Sequence, residues 1–169
     1  MSHNYSQADE ANREFYYYLG LLSTKFAILE SNVLRILGRL IADDFVLTNT
    51  VLEKNSLTQN IEFLKKINKY RQFEEQSLFE LVERIAKVRV NRNLFIHGIW
   101  SEPFIKENDL AINCKEPRLL YEENLDGRSW ASARNHEFRL GYLKKQVDQI
   151  DEIILTQEYL LRRLEDFRD

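Results

Sequence analysis

Apolar side chains recur along the first quarter of the chain in a regular beat: Phe15, Leu19, Leu22, Phe26, Leu29, Val33, Ile36 and Leu40 follow one another at alternating steps of four and three. That spacing keeps one stripe of a helix turned toward a partner. It predicts a helix from Gln7 to Ala42, a rod on the order of 50 Å long at 1.5 Å per residue, in which Gly20 and Gly38 mark a bend or a close helix contact. Beyond the acidic pair Asp43-Asp44 the beat loosens. Ser56-Leu57-Thr58-Gln59 then has the form of a capping box, in which a hydroxyl and the side chain three positions on satisfy each other's orphan amides. A second helix is predicted from there to Tyr70, and a third from near Phe73. The third carries Leu78, Leu81, Ile85 and Val88 at the same three-four spacing, which continues through Arg92 and Phe95 and so places Arg92 in the apolar seam.

From Ile99 to Arg134 the pattern changes. Both prolines, Pro103 and Pro117, lie here, Leu110-Ala111-Ile112-Asn113-Cys114 alternates apolar with polar, and Asp126-Gly127 is a turn pair. A hairpin or extended flap is predicted. Asn135 then has the character of an N-cap with Glu137 in the first turn, opening a last helix whose stripe is Leu140, Leu143, Val147, Ile150, Ile154, Leu161 and Leu164. Its cations Arg162, Arg163 and Arg168 sit near the carboxyl end, where the helix dipole favours them. The expected fold is all-α: one domain over residues 1–169, an up-down four-helix bundle with a flap insertion at 99–134 between the third and fourth helices.

Composition narrows the class. At 169 residues, 44% hydrophobic and 30% charged, the chain is of ordinary globular make-up, long enough to hide roughly 70% of its extended-chain surface without a disulfide or structural metal. Cys114 is the only cysteine, so an intramolecular bridge and a cysteine-based zinc site are excluded. The three histidines, His3, His97 and His136, are scattered with no metal-ligand spacing, and His3 and His136 read as surface residues. No cofactor is expected. With no basic-then-apolar start and no run of about eighteen apolar residues, no membrane span is expected, and a reducing cytoplasm fits best. The net charge of −3 means that any nucleic-acid binding must come from a local basic patch.

The chemistry concentrates in Arg92-Asn93-Leu94-Phe95-Ile96-His97-Gly98. A guanidinium in an apolar seam costs several kcal/mol unless paired or hydrogen-bonded. On a helix Asn93 and His97 share a face, Arg92 lies on the neighbouring stripe, and Gly98 supplies a left-handed terminating residue, so the three polar side chains can converge at the helix end. Arg-Asn-x-x-x-His-Gly at the close of a third long helix resembles the Arg-x4-6-His motif of the HEPN family of helical RNA-cleaving proteins. The resemblance implies metal-independent endonuclease chemistry, in which a ribose 2'-hydroxyl attacks the adjacent phosphate, with Arg92 and His97 as the catalytic pair and Asn93 in support. It further implies RNA as partner, a homodimer that brings two motifs together, and a toxin or defence role with an antitoxin or other regulatory protein. Some toxin members carry a tyrosine two residues past the motif histidine; this chain has Ile99 there.

Around the motif, Glu30 on the first helix is proposed to neutralise or orient Arg92. Lys87 and Arg89 would extend a phosphate-attracting patch, with Arg134 and Arg139 as further additions, and Trp100, Phe104, Tyr121 and Trp130 of the flap could stack unpaired bases. Plainer readings stand beside these. A histidine before a terminating glycine stabilises a helix end without chemistry, Arg92 could belong to a structural ion pair, the lysine and arginines to a solvated face, and the aromatics to packing. A non-catalytic HEPN-like module binding RNA, a nucleotide or a protein is the alternative function, and a purely structural helical adaptor the next.

Overall fold

The three-four beat at the start of the chain produces α1, Gln7–Ile41. The computed structural model describes the backbone of residues 7–42, 44–107, 109–116, 119–124, 127–132 and 134–167, and side chains within these except at 7–9, 11, 45, 119–124 and 127–132. Among them are α2 (Phe45–Leu52), α3 (Leu57–Arg71), α4 (Glu75–Val88), α5 (Arg92–His97) and α6 (Leu140–Asp166). The strands are β1 (Ile99–Trp100), β2 (Phe104–Lys106), β3 (Asp109–Lys115), β4 (Leu119–Asn124), β5 (Gly127–Ser132) and β6 (Asn135–Arg139). The protein is thus mostly helical, roughly as the all-α expectation has it, with a small antiparallel sheet in addition. No helix among the described residues is long and apolar enough to cross a membrane.

The contacts divide the chain into two compact units, Met1–Ser23 with Val90–Val147, and Thr24–Arg89 with Asp148–Asp169. In the second unit α1 and α6 lie side by side and point the same way: Lys25 pairs with Asp151 near one end, and Arg39 Nη1 reaches Glu165 at 3.2 Å near the other. Arg71, at the end of α3, donates to the carbonyls of Leu40 (2.9 Å) and Ile41 (3.2 Å) at the end of α1, so α3 shares that direction. Glu74 meets Arg163 at 3.0 Å and Arg84 meets Glu152 at 2.8 Å, which sets α4 antiparallel to α6. The up-down order expected of four helices is therefore not what these contacts describe.

The difference traces to α2. Asp44 caps it by accepting from Leu47 N at 2.9 Å, and it folds back along α1, where a Cβ on Gly38 would come within 2.9 Å of Thr48 Cγ2. This extra reversal inverts the sense of each later helix. Gly38 is a close-contact glycine, whereas a Cβ on Gly20 would meet nothing within 4 Å. The core of this unit includes Phe26, Leu29, Ile36, Leu64, Leu81, Ile85, Ile150 and Leu164, all inaccessible to solvent; each such side chain stabilises the fold by about 1.5–3 kcal/mol relative to its exposed state.

Local signals hold well here. Ser56 Oγ accepts from Gln59 N at 3.3 Å while Gln59 Oε1 accepts from Ser56 N at 2.8 Å, the reciprocal cap of α3. Between α3 and α4 the chain turns through Gln72 and Glu74, both at positive φ (54° and 40°). Buried Asn68 clasps that turn, donating to Phe73 O at 2.9 Å and accepting from Phe73 N at 3.1 Å.

In the first unit β3 is the central strand. β6 pairs along one edge, from Ala111↔Arg139 to Lys115↔Asn135, and β1 and β2 divide the other edge between them. β4 and β5 form a separate hairpin in which Asn124 pairs with Gly127; residues 125 and 126, including the predicted turn residue Asp126, lie outside the described residues. The predicted flap is accordingly a sheet plus a hairpin. Asn135 is not an N-cap. Residues 135–139 alternate between the two faces and satisfy the free edge of β3, and five residues of strand pairing displace one capping bond. The last helix starts later, at Leu140.

Candidate active site

The third predicted helix does not run through to the motif. α4 ends at Val88, a 3-10 turn takes Arg89–Asn91, and α5 resumes at Arg92. A 3-10 turn holds three residues rather than 3.6, so three residues of it rotate the following helix by roughly 60° relative to a continuous α-helix. Within α5 the buried residues are Leu94 and Phe95, and Arg92 is half-buried instead of lying in the seam. The desolvation cost that an internal guanidinium would carry is reduced accordingly.

Six residues of helix are too few to persist alone, and α5 is held from three sides. Phe95 packs against Phe138 of β6 at 5.6 Å between ring centres and lies parallel to Trp100 of β1 at 6.4 Å. Asn91 Nδ2, just before α5, donates to the hydroxyl of Tyr142 on α6 at 2.8 Å, and Tyr142 stacks on Phe138. At the far end Gly98 N donates to Leu94 O at 2.9 Å. Gly98 has φ −64° and ψ 150°, an extended conformation open to any residue, so it is not the left-handed terminator that was expected. Glycine is needed there for space: a Cβ would overlap the Cys114 sulfur of β3 and the Leu94 carbonyl.

On this mount Asn93 and His97 face outward, with Arg92 half-buried beside them. Arg92 Nη1 donates to Asn93 Oδ1 at 3.1 Å, and Asn93 and His97 are both exposed. An arginine fork, an amide and an imidazole on one short helix can bind phosphate oxygens and move a proton. Cys114 behind them is not a nucleophile. Burial, with the Glu116 carboxylate adding to it, pushes its thiol up to about 11, leaving it protonated at neutral pH.

Glu30 is half-buried on α1, Lys87 exposed on α4, and Arg89 donates to Thr58 Oγ1 at 2.6 Å; all three belong to the other compact unit from the motif. Arg134 is exposed. Arg139 is committed to the β2–β3 turn, donating to Lys106 O at 2.6 Å and pairing with Glu107 at 3.1 Å and Glu137 at 3.5 Å, which corrects its assignment to a phosphate patch. Trp100 serves packing among Phe95 and Phe138, Phe104 is half-buried, and the side chains of Tyr121 and Trp130 lie outside the described residues, as does His3. Among the described residues no three His, Cys, Asp or Glu side chains gather into a metal site.

One group escaped the sequence reading. His136 is not a plain surface residue: its Nε2 meets Glu116 Oε1 at 2.9 Å and its ring stacks on Phe138. Only the strand register of β3 and β6 brings them together, and reading 135–139 as a helix start concealed it. Comparison with family models, curated proteins and solved structures finds no match for this chain.

Proposed function

We propose that this protein is a metal-independent endoribonuclease of the HEPN type. The observation that carries the reading is the presentation of Arg92, Asn93 and exposed His97 on one short helix pinned by Phe95, Asn91 and Gly98. Arg92 binds the non-bridging oxygens of the scissile phosphate as charge builds there, Asn93 fixes the guanidinium, and His97 transfers a proton. The ribose O2' loses its proton and bonds to phosphorus, the P–O5' bond breaks, and the products end in a 2',3'-cyclic phosphate and a 5'-hydroxyl. DNA lacks the attacking hydroxyl and is not cut.

This reading takes α1, α3, α4 and α6 as the long helices of a HEPN-like bundle, with α2 and the sheet as additions, and includes a second copy of the chain, a cytoplasmic setting and a regulatory partner in a toxin or defence role. The test is incubation of labelled single-stranded RNA with the protein in excess chelator, beside Arg92→Ala and His97→Ala. Cleavage that survives chelation and falls about 10²–10⁴-fold in each variant is expected. RNA binding without cleavage overturns the enzyme in favour of a binding module.

A further inference from the structure

The reaction just described needs two proton transfers, one from O2' and one to O5', and the motif of each chain brings one imidazole, His97. A second stands on the sheet beneath α5. Cys114 and His136 are directly paired across β3 and β6, so their side chains leave the sheet on the same face. This is the face that carries α5, because Cys114 lies against Gly98 and the Leu94 carbonyl, and Phe138, two residues from His136, packs on Phe95. Glu116 follows on that face, two residues beyond Cys114, and its ion pair holds His136 with both side chains about one-third exposed (31% and 29%).

The register brings His97 to the same end of the sheet. Ile99 pairs with Lys115 and Trp100 with Cys114, so the chain entering β1, with Gly98 and then His97 before it, meets β3 beside Glu116. On the opposite side Glu116 N donates to Arg134 O at 3.3 Å, next to β6. β1 and β6 flank β3 one strand away on either side, which sets the backbones of Trp100 and His136, both paired with Cys114, on the order of 10 Å apart. His97 stands three residues before Trp100, at the end of α5.

We propose that His136, positioned by Glu116, is the second proton-transfer residue of this site; the inference rests on the nuclease reading. One imidazole removes the O2' proton as the O2'–P bond forms. The other, starting protonated, delivers its proton to O5' as P–O5' breaks, and water exchange restores both rings. Glu116 occupies Nε2, which leaves Nδ1, unbonded to any described residue, as the nitrogen that exchanges the proton. The carboxylate fixes the orientation of the ring. The titratable groups around His136 are Glu116 just past β3, Cys114 on β3, and Tyr142 on α6 beyond Phe138; with Cys114 protonated until about pH 11, Glu116 is the nearby carboxylate.

The experiment compares pH–rate profiles for cleavage of single-stranded RNA by the intact protein, His136→Gln, Glu116→Gln and His97→Ala, with thermal melts of each. The wild type is expected to give a bell, and His136→Gln to lose about 10²-fold or more and one limb of that bell. Glu116→Gln keeps a neutral partner for the ring, so it is expected to melt near the wild type and to lose part of the rate by leaving the ring less firmly oriented; this also serves if His136→Gln fails to fold. An unchanged bell in both variants, with His97→Ala inactive, overturns His136 as a proton carrier and leaves the nuclease reading standing. A wild type that does not cut removes both.

Discussion

Gly98 shows how one residue can be required for a reason that its chain neighbours conceal. Standing after a histidine at a helix end, it suggests backbone freedom, yet its dihedrals suit any residue and the constraint is the Cys114 sulfur and Leu94 carbonyl lying where a side chain would begin. Gly98→Ala is expected to destabilise the protein by about 1–3 kcal/mol through overpacking, seen as a lower urea midpoint. Adding Cys114→Ala should recover part of the loss, because the sulfur is removed and the carbonyl remains; an unaltered midpoint in the single variant would disprove the close approach. Arg92 teaches the companion lesson. Its place in the heptad was legible, but its half-burial depends on a 3-10 turn that no apolar spacing announces.

Among elements, those set by local bonds could be read directly. The Ser56–Gln59 box lies within four consecutive residues, and α1 emerges within a residue of its expected end because its stripe is long and unbroken. α2 escaped notice because Phe-Val-Leu-Thr-Asn-Thr-Val-Leu has apolar residues on every side and hence no stripe. The α3–α4 turn depends on Asn68, whose amide serves both backbone groups of buried Phe73. Asn68→Ala leaves a buried N–H and C=O unpaired and is expected to cost about 2–6 kcal/mol, at roughly 1–3 for each orphaned group; denaturant unfolding measures it, and a loss below about 0.5 kcal/mol would show that the clasp contributes little.

At the scale of the whole molecule, a net charge of −3 leaves little long-range attraction for RNA. Arg139 is bound to Glu107 and Glu137, which removes one cation from the expected patch. Binding through two or three phosphate contacts, Arg92 and exposed Arg134 among them, predicts a log–log salt slope of about −1.5 to −2 for single-stranded RNA. Filter binding between low and moderate salt tests this, and a slope steeper than about −4 would require a basic surface that these residues do not provide.

From the sequence alone came the long helices, the cap of α3, the change of character after Ile99 and the position of the Arg92–His97 pair, since helical bonds and stripes connect residues three or four apart. What folding in three dimensions decided joins distant residues: β6 on the edge of β3, Glu116 on His136 and Cys114 against Leu94, the last two pairs each twenty positions apart. Strand pairing carries no local signature strong enough to override a plausible helix start, because its hydrogen bonds are made with residues the local pattern does not contain.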